Sequence, residues 1–224
     1  MTFAQKVLAF HRSLQANWRI PTGFELLYPF EAADTLSAMT AFYEKFFSDH
    51  HPRKLLLGIN PGRFGAGVTG IAFTDPIRLA DDCGIPNPFH KRSELSSIFI
   101  YEVVEAMGGP ESFYQKCYIS SVCPLGFTRN GINCNYYDDR QLQESVEPYI
   151  IENLSVQHAF GCTGDVAICL GQGKNYKYLK KLNDRIELFR EVVPLPHPRW
   201  VMQYRRRTMD QYVDQYVSCL QAIP

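Results

Sequence analysis

The chain has 224 residues, 46% of them apolar and 13% aromatic, and its 23 basic side chains are balanced by 23 acidic ones. That composition supports a sizeable buried core, and the absence of net charge excludes attraction of a polyanion by overall charge, leaving only local clusters. No run reaches the roughly 18 apolar residues of a membrane span, so no membrane partner is expected.

The first stretch, "MTFAQKVLAFHRSLQANW", is interrupted by Lys6, His11 and Arg12 and does not read as a signal peptide. Phe3, Val7, Phe10 and Leu14 fall near one face of an amphipathic helix. A second helical pattern, "AADTLSAMTAFYEKFF", carries Leu36, Met39, Phe42 and Phe46. The apolar run "RKLLLGI" (53–59) then reads as a buried strand, followed by a glycine-punctuated loop. "SELSSIFIYEVVEAMGG" predicts a helix with Ser93 as its cap and a glycine pair at its end. "CYISSVC" (117–123) reads as the second strand, stopped by Pro124. "DDRQLQESVEPYIIENLSVQ" places Leu142, Val146, Ile150 and Leu154 four apart on a helix that Pro148 either kinks or divides. "DVAICLG" (165–171) and "FREVVPL" (189–195) are the third and fourth strands, and "TMDQYVDQYVSCL" is a last helix with one apolar face.

Strands alternating with helices imply crossover connections. The expected fold class is therefore α/β: three layers, α/β/α, around a central, mainly parallel four-stranded sheet. One domain over 1–224 is expected, with 1–50 as a helical N-terminal extension packed on it. The seven cysteines include no C-x-x-C pair, which argues against a zinc ribbon or a cluster held by paired spacing. His158 and Cys162 stand four apart without further ligands, so no metal is expected. Cys117 and Cys169 lie in apolar runs, as reduced core cysteines do, which suggests a reduced intracellular setting.

In open parallel sheets, ligands bind at the carboxyl ends of the strands. Four loops then converge on one rim. The first, "GINPGRFGAGVTGIAF", has glycines including Gly62 and Gly70 that permit close backbone approach, Asn60 directly after a strand, and Phe73 as a ring for a flat ligand. It closes with no G-K-[ST] and is not a Walker loop. A glycine-rich connector with a core phenylalanine is the plain alternative. The second loop runs from Pro124, and the strand end before it carries Ser120 and Ser121, whose hydroxyls can donate and accept with a ligand edge or simply be satisfied by backbone. The third, "GQGK", sets Lys174 at a helix start, which suits a phosphate but equally an ordinary strand-to-helix turn. The fourth, "PLPHPRWVMQYRRR", brackets His197 between prolines and continues into Arg199, Trp200, Met202 and Arg205–Arg207. Arginines for phosphates interleaved with apolar side chains for stacking or wedging are what a DNA-binding segment needs, although a lone arginine run is usually a solvated helix turn.

Taken together, "GINPG" (58–62) and "HPR" (197–199) resemble the two motifs of the uracil-DNA glycosylase superfamily. "GINPGRFGAGVTGIAF" through Phe73, "CPL" (123–125) and "GQGK" resemble its single-strand-selective monofunctional (SMUG-like) branch. The resemblance covers roughly residues 53 to 205 as ordered pieces, and the N-terminal fifty residues add nothing specific to it. Two positions depart from that branch: Ser121 stands where its enzymes carry an asparagine, and His-Pro-Arg stands for His-Pro-Ser. A shorter, single-donor serine leaves room for other deaminated bases, such as xanthine or hypoxanthine, and suggests a divergent subgroup.

The resemblance implies a DNA glycosylase of base excision repair, acting on single- or double-stranded DNA as a monomer, without cofactor or metal. It would be cytoplasmic, or nucleoid-associated in a bacterium. It implies Asn60 and His197 as catalytic residues. Phe73 would stack on the extruded base, and Ser121 with the backbone from Ile59 to Phe64, beside Gly62 and Gly70, would meet the base edge. Lys174, Arg199 and Arg205 would grip phosphates, with Arg199, Trp200 or Met202 as the wedge. Two other classes stay open: a hydrolase of small nucleosides or nucleotides, and a catalytically inactive DNA-binding module.

Overall fold

The computed structural model describes residues 1–223. The amino-terminal part comprises α1 (Phe3–Ser13), β1 (Glu25–Leu27), α2 (Ala33–Phe47) and β2 (Arg53–Gly58). Short helices α3 (Ala66–Thr69) and α4 (Pro76–Asp81) follow, then α5 (Leu95–Ala106), α6 (Gly109–Tyr114) and β3 (Cys117–Ser121). A hairpin of β4 (Gly126–Arg129) and β5 (Ile132–Cys134) leads into α7 (Arg140–His158), β6 (Cys162–Leu170) and α8 (Lys174–Ile186). The chain ends with β7 (Glu191–Leu195), α9 (Pro198–Tyr204) and α10 (Met209–Ala222).

The central sheet has the order β3-β2-β6-β7 and is parallel throughout. Its strands are the four apolar runs of the sequence. Helices cover both faces, so Leu55, Leu56 and Leu57 are all fully buried, as are Ala167 to Leu170. A parallel register brings every carboxyl end to one rim: Gly58 pairs with Ser121, and Leu170 with Leu195. This fixes the convergence of the four loops.

A second sheet, antiparallel in the order β1-β4-β5, was not foreseen. Its strands have three or four residues each, too few to give an alternating pattern. Residues 1–50 therefore contribute a strand as well as helices: Glu25 to Leu27 pair with Thr128 to Gly126. The cap of α5 is also not Ser93; Glu94 holds the N-cap position without a side-chain cap bond. Pro148 lies inside a single helix, α7, which neither stops nor divides there. No helix among the described residues is long and apolar enough to cross a membrane.

Candidate active site

A cleft of about 420 Å³ opens on the carboxyl rim of the sheet. Ile59, Asn60, Gly62, Phe73, Ser121, His197, Arg199 and Trp200, all singled out in the sequence, line it. The rim geometry explains why residues so distant in sequence meet: each follows or ends a strand of the same parallel sheet.

Asn60 is clamped. Its Nδ2 donates to the carbonyls of Cys134 (3.2 Å) and Pro61 (3.3 Å), and its Oδ1 accepts from the Tyr136 N–H (3.1 Å). Both amide protons are committed, and Oδ1 keeps one lone pair for a ligand. Behind it, the buried Tyr136 hydroxyl donates to Asn175 Oδ1 (2.7 Å), and Asn175 Nδ2 reaches the Gly58 carbonyl (3.4 Å). The network ties the end of β2 to α8 and to the segment after β5.

His197 caps α9: its Nδ1 accepts from the Arg199 N–H at 3.1 Å. An accepting Nδ1 carries no proton, so the neutral ring bears its proton on Nε2. Burial, with the Arg199 charge adding to it, lowers the His197 pKa to about 4. The ring is thus a neutral Nε2–H donor at physiological pH. Its centroid lies 6.0 Å from that of Phe73.

Phe73 adopts φ +53°, a left-handed conformation that costs a non-glycine residue energy and is typically tolerated at functional sites. Its ring occupies the space that a side chain at Gly58 would fill: a Cβ there would sit 2.8 Å from Phe73 Cε2. Glycine at the end of β2 is what lets the aromatic ring close over the strand.

Other sequence-selected residues lie around the cleft rather than in its wall. Phe64 is flanked by the guanidinium groups of Arg63 (4.5 Å) and Arg92 (3.5 Å). Gly70 lines a smaller cavity behind the cleft, beside Ser121 and His11. Lys174 lines an adjoining hollow of about 430 Å³ that shares Ile59, His197 and Trp200 with the cleft. Arg205 stacks its guanidinium 5.0 Å from the Trp200 ring. Met202 is buried at 4% exposure, so it is not available as a wedge; Trp200 and Tyr204, at 38% and 65%, are the exposed aromatics of α9.

Sequence reasoning missed Glu94, Asn133 and Tyr137, which also line the cleft, and the Tyr136–Asn175 support. None had a motif. Contacts across the fold, which no local pattern records, bring them to the cleft. His11, dismissed with the N-terminal segment, reaches the cavity behind Ser121 and is buried there.

The profile of the Uracil DNA glycosylase superfamily matches residues 44–221. The crystal structure of wild-type SMUG2 from Pedobacter heparinus superposes with a TM-score of 0.96 at 45% identity, over 99% of this chain and 98% of that one. Neither a small-nucleoside hydrolase nor an inactive DNA-binding module is favoured by these matches. The rim cleft, its two motifs and its three-layer frame therefore have one explanation: the chain belongs to the uracil DNA glycosylase superfamily, as a SMUG-like uracil-DNA glycosylase.

Proposed function

We propose that Asn60 and His197 form the catalytic pair of a monofunctional glycosylase that releases uracil, and with it xanthine and hypoxanthine, from DNA. The observation that carries this reading is the meeting, in one cleft, of a clamped Asn60 amide and a neutral His197 whose Nε2–H has no protein partner.

A base inside a duplex cannot be reached, so the target nucleotide leaves the stack and enters the cleft. Phe73 stacks on it, while the Ser121 hydroxyl and the backbone at Ile59 meet its polar edge. Breaking the N-glycosidic bond develops negative charge on the base and positive charge on the sugar. His197 Nε2–H donates to the base as that charge grows, and the free lone pair of Asn60 Oδ1 orients a water toward C1′. A fixed donor and a fixed acceptor need no reorganisation at the moment of reaction. No lysine lines the cleft among the described residues, which supports hydrolysis without a Schiff base or strand cleavage.

Arg199 and the exposed run Arg205–Arg207 take the phosphates, Lys174 extends the path along the adjoining hollow, and Trp200 fills the gap in the stack. The protein acts as a monomer of one domain, 1–224, in the reduced cytoplasm; its seven free cysteines agree with that setting. Base release from oligonucleotides carrying uracil, xanthine or hypoxanthine, single- and double-stranded, tests the reading. Alkali-sensitive sites formed by wild type and lost in Asn60→Ala and His197→Ala are expected. Release that survives both substitutions would assign the chemistry to other residues.

A further inference from the structure

Hydrolysis by water needs a group to take the proton that the water gives up. The Asn60 amide has no basicity for this. His197 is a poor acceptor: its pKa lies at about 4, and its Nδ1 already accepts the Arg199 N–H. The Tyr137 phenol is pushed up to about 12, mainly by burial, and the Cys134 thiol is also raised, so both hold their protons at neutral pH.

Among the described residues one carboxylate lines the cleft, that of Glu94. It is delivered at the N-cap of α5, where the Glu94 N–H donates to Asp75 Oδ2 at 2.9 Å. Asp75 in turn caps α4 through the N–H groups of Ile77 and Arg78, so this anchor is fixed. The Glu94 carboxylate lies against the loop that carries Asn60. A Cβ at Gly62 would sit 3.4 Å from Oε1, and one at Gly65 would collide with Oε2. Gly62 and Gly65, two and five residues beyond Asn60, thus leave space for this acidic group. Neither carboxylate oxygen is bonded to a protein donor among the described residues, so both are available to a group in the cleft.

The charged groups that bear on Glu94 are Asp75, Arg92 and Arg199. Burial, then Asp75, pushes its pKa up to about 7, against the opposite pull of Arg199 and Arg92. A base poised near the working pH is suited to accept a proton in the transition state.

We propose that Glu94 is a further catalytic residue, the acceptor of the proton released by the attacking water. The inference rests on the catalytic reading of Asn60 and His197 given above. The C1′–N bond breaks with its electron pair going to the base, which His197 Nε2–H stabilises. The water oxygen bonds to C1′, and its proton passes to the Glu94 carboxylate. Glu94 then returns that proton to the departing base anion, which leaves neutral, and the carboxylate is restored.

The test is single-turnover uracil release from an oligonucleotide, from about pH 5.5 to about pH 9, by wild type, Glu94→Gln, Glu94→Ala and His197→Ala. Affinity for an oligonucleotide carrying 2′-fluoro-deoxyuridine, which resists hydrolysis, and thermal melting are measured in parallel. Wild-type release is expected to rise through neutral pH. Glu94→Gln should melt and bind as wild type does, lose that rise, and be slower on the order of 10²-fold at the plateau. Added formate should restore part of the Glu94→Ala rate. A Glu94→Gln rate equal to wild type, an unchanged pH rise, or a loss accounted for wholly by weaker oligonucleotide binding overturns the inference. If His197→Ala is inactive while Glu94→Gln is not, the Asn60–His197 reading stands and the role of Glu94 alone falls. No release by folded wild type overturns both.

Discussion

Strand β2 carries opposite chemistry at its two ends. At the amino end, the Arg53 guanidinium is out of water and fully engaged. It donates to both Asp49 oxygens (2.7 Å each) and to the carbonyls of Tyr114 (2.9 Å) and His51 (2.8 Å). The rings of Phe3 and Phe47 cover it at 4.6 and 4.8 Å. At the carboxyl end, His197 Nε2, the Ser121 hydroxyl and the Glu94 carboxylate have no hydrogen-bond partner among the described residues, yet all border one cleft. A buried polar group ordinarily finds its partners inside the protein. Arg53 follows that rule, whereas the cleft groups are left accessible to a ligand. The same strand is thus a structural lock at one end and a platform for chemistry at the other.

Substitutions at the two ends should therefore separate rate from stability. The largest effect expected is His197→Ala. Loss of a preorganised donor of this kind costs on the order of 10²–10³ in rate, while loss of the α9 cap costs only about 1 kcal/mol of stability. Because burial holds its pKa at about 4, the wild-type donor remains neutral as pH falls from 7 toward 5. Any limb seen near neutrality belongs to another group. A His197→Ala protein with near-wild-type single-turnover rates would contradict the assigned role.

The reverse pattern is expected at the amino end. Asp49→Asn leaves a buried guanidinium without its counter-charge, and breaking such a pair costs about 3 kcal/mol. Denaturant unfolding should report that loss, with the rate per folded molecule unchanged. Asp49 also has a pH signature. The hydrogen bond from Arg53 holds its carboxyl below the ordinary value. Stability from this group is present above the unfolded-state pKa of about 4 and is lost as pH falls through the lower folded value. Wild type should lose this part of its stability under acid, and Asp49→Asn should have none of it to lose. Equal acid sensitivity of the two proteins would place the linkage elsewhere.

The contrast also explains what was legible in the sequence. The four central strands were, because a parallel sheet covered on both faces writes each strand as an unbroken apolar run; Leu55–Leu57 and Ala167–Leu170 are that pattern. The rim residues were legible because each motif stands at a strand end and the topology gathers strand ends. The second sheet was not, since Glu25–Leu27 and Ile132–Cys134 are too short to show a period. Nor was the clamp on Asn60, whose partners Cys134 and Tyr136 lie 74 and 76 residues away. Met202 misled for a related reason: beside Trp200 in a basic run it reads as a wedge, but the turn of α9 directs it into the core. Glu94 gave no signal at all, because a glutamate at a helix start is ordinarily a solvated charge.

At Ser121, the open end of the comparison can be narrowed. Its hydroxyl is one small donor and acceptor on the cleft wall. Ser121→Asn should fill part of that space and offer a fixed donor–acceptor pair, favouring uracil over the larger xanthine. A pocket change of this kind is worth roughly 10-fold or more in relative kcat/KM. Competition between uracil and xanthine oligonucleotides measures the ratio directly. A ratio that does not move would remove Ser121 from the determinants of base choice.

The smallest effect is expected outside both ends, on the exposed face of α9. Arg205 is exposed, and its guanidinium meets the Trp200 ring and the Tyr204 carbonyl of its own turn, away from both the lock and the cleft's polar groups. In the proposed DNA path its contribution would be to release counterions when a phosphate replaces water. Arg205→Gln should weaken DNA binding a few-fold at low salt and reduce the dependence of log K on log salt by about one phosphate contact. At high salt the two proteins should bind alike, and single-turnover release from saturating DNA should not change. The slope is the informative quantity, because a loss of affinity at constant slope would mean that Arg205 acts by holding Trp200 in place. In that case the stacking residue, and not the charge, would be what α9 presents to the DNA.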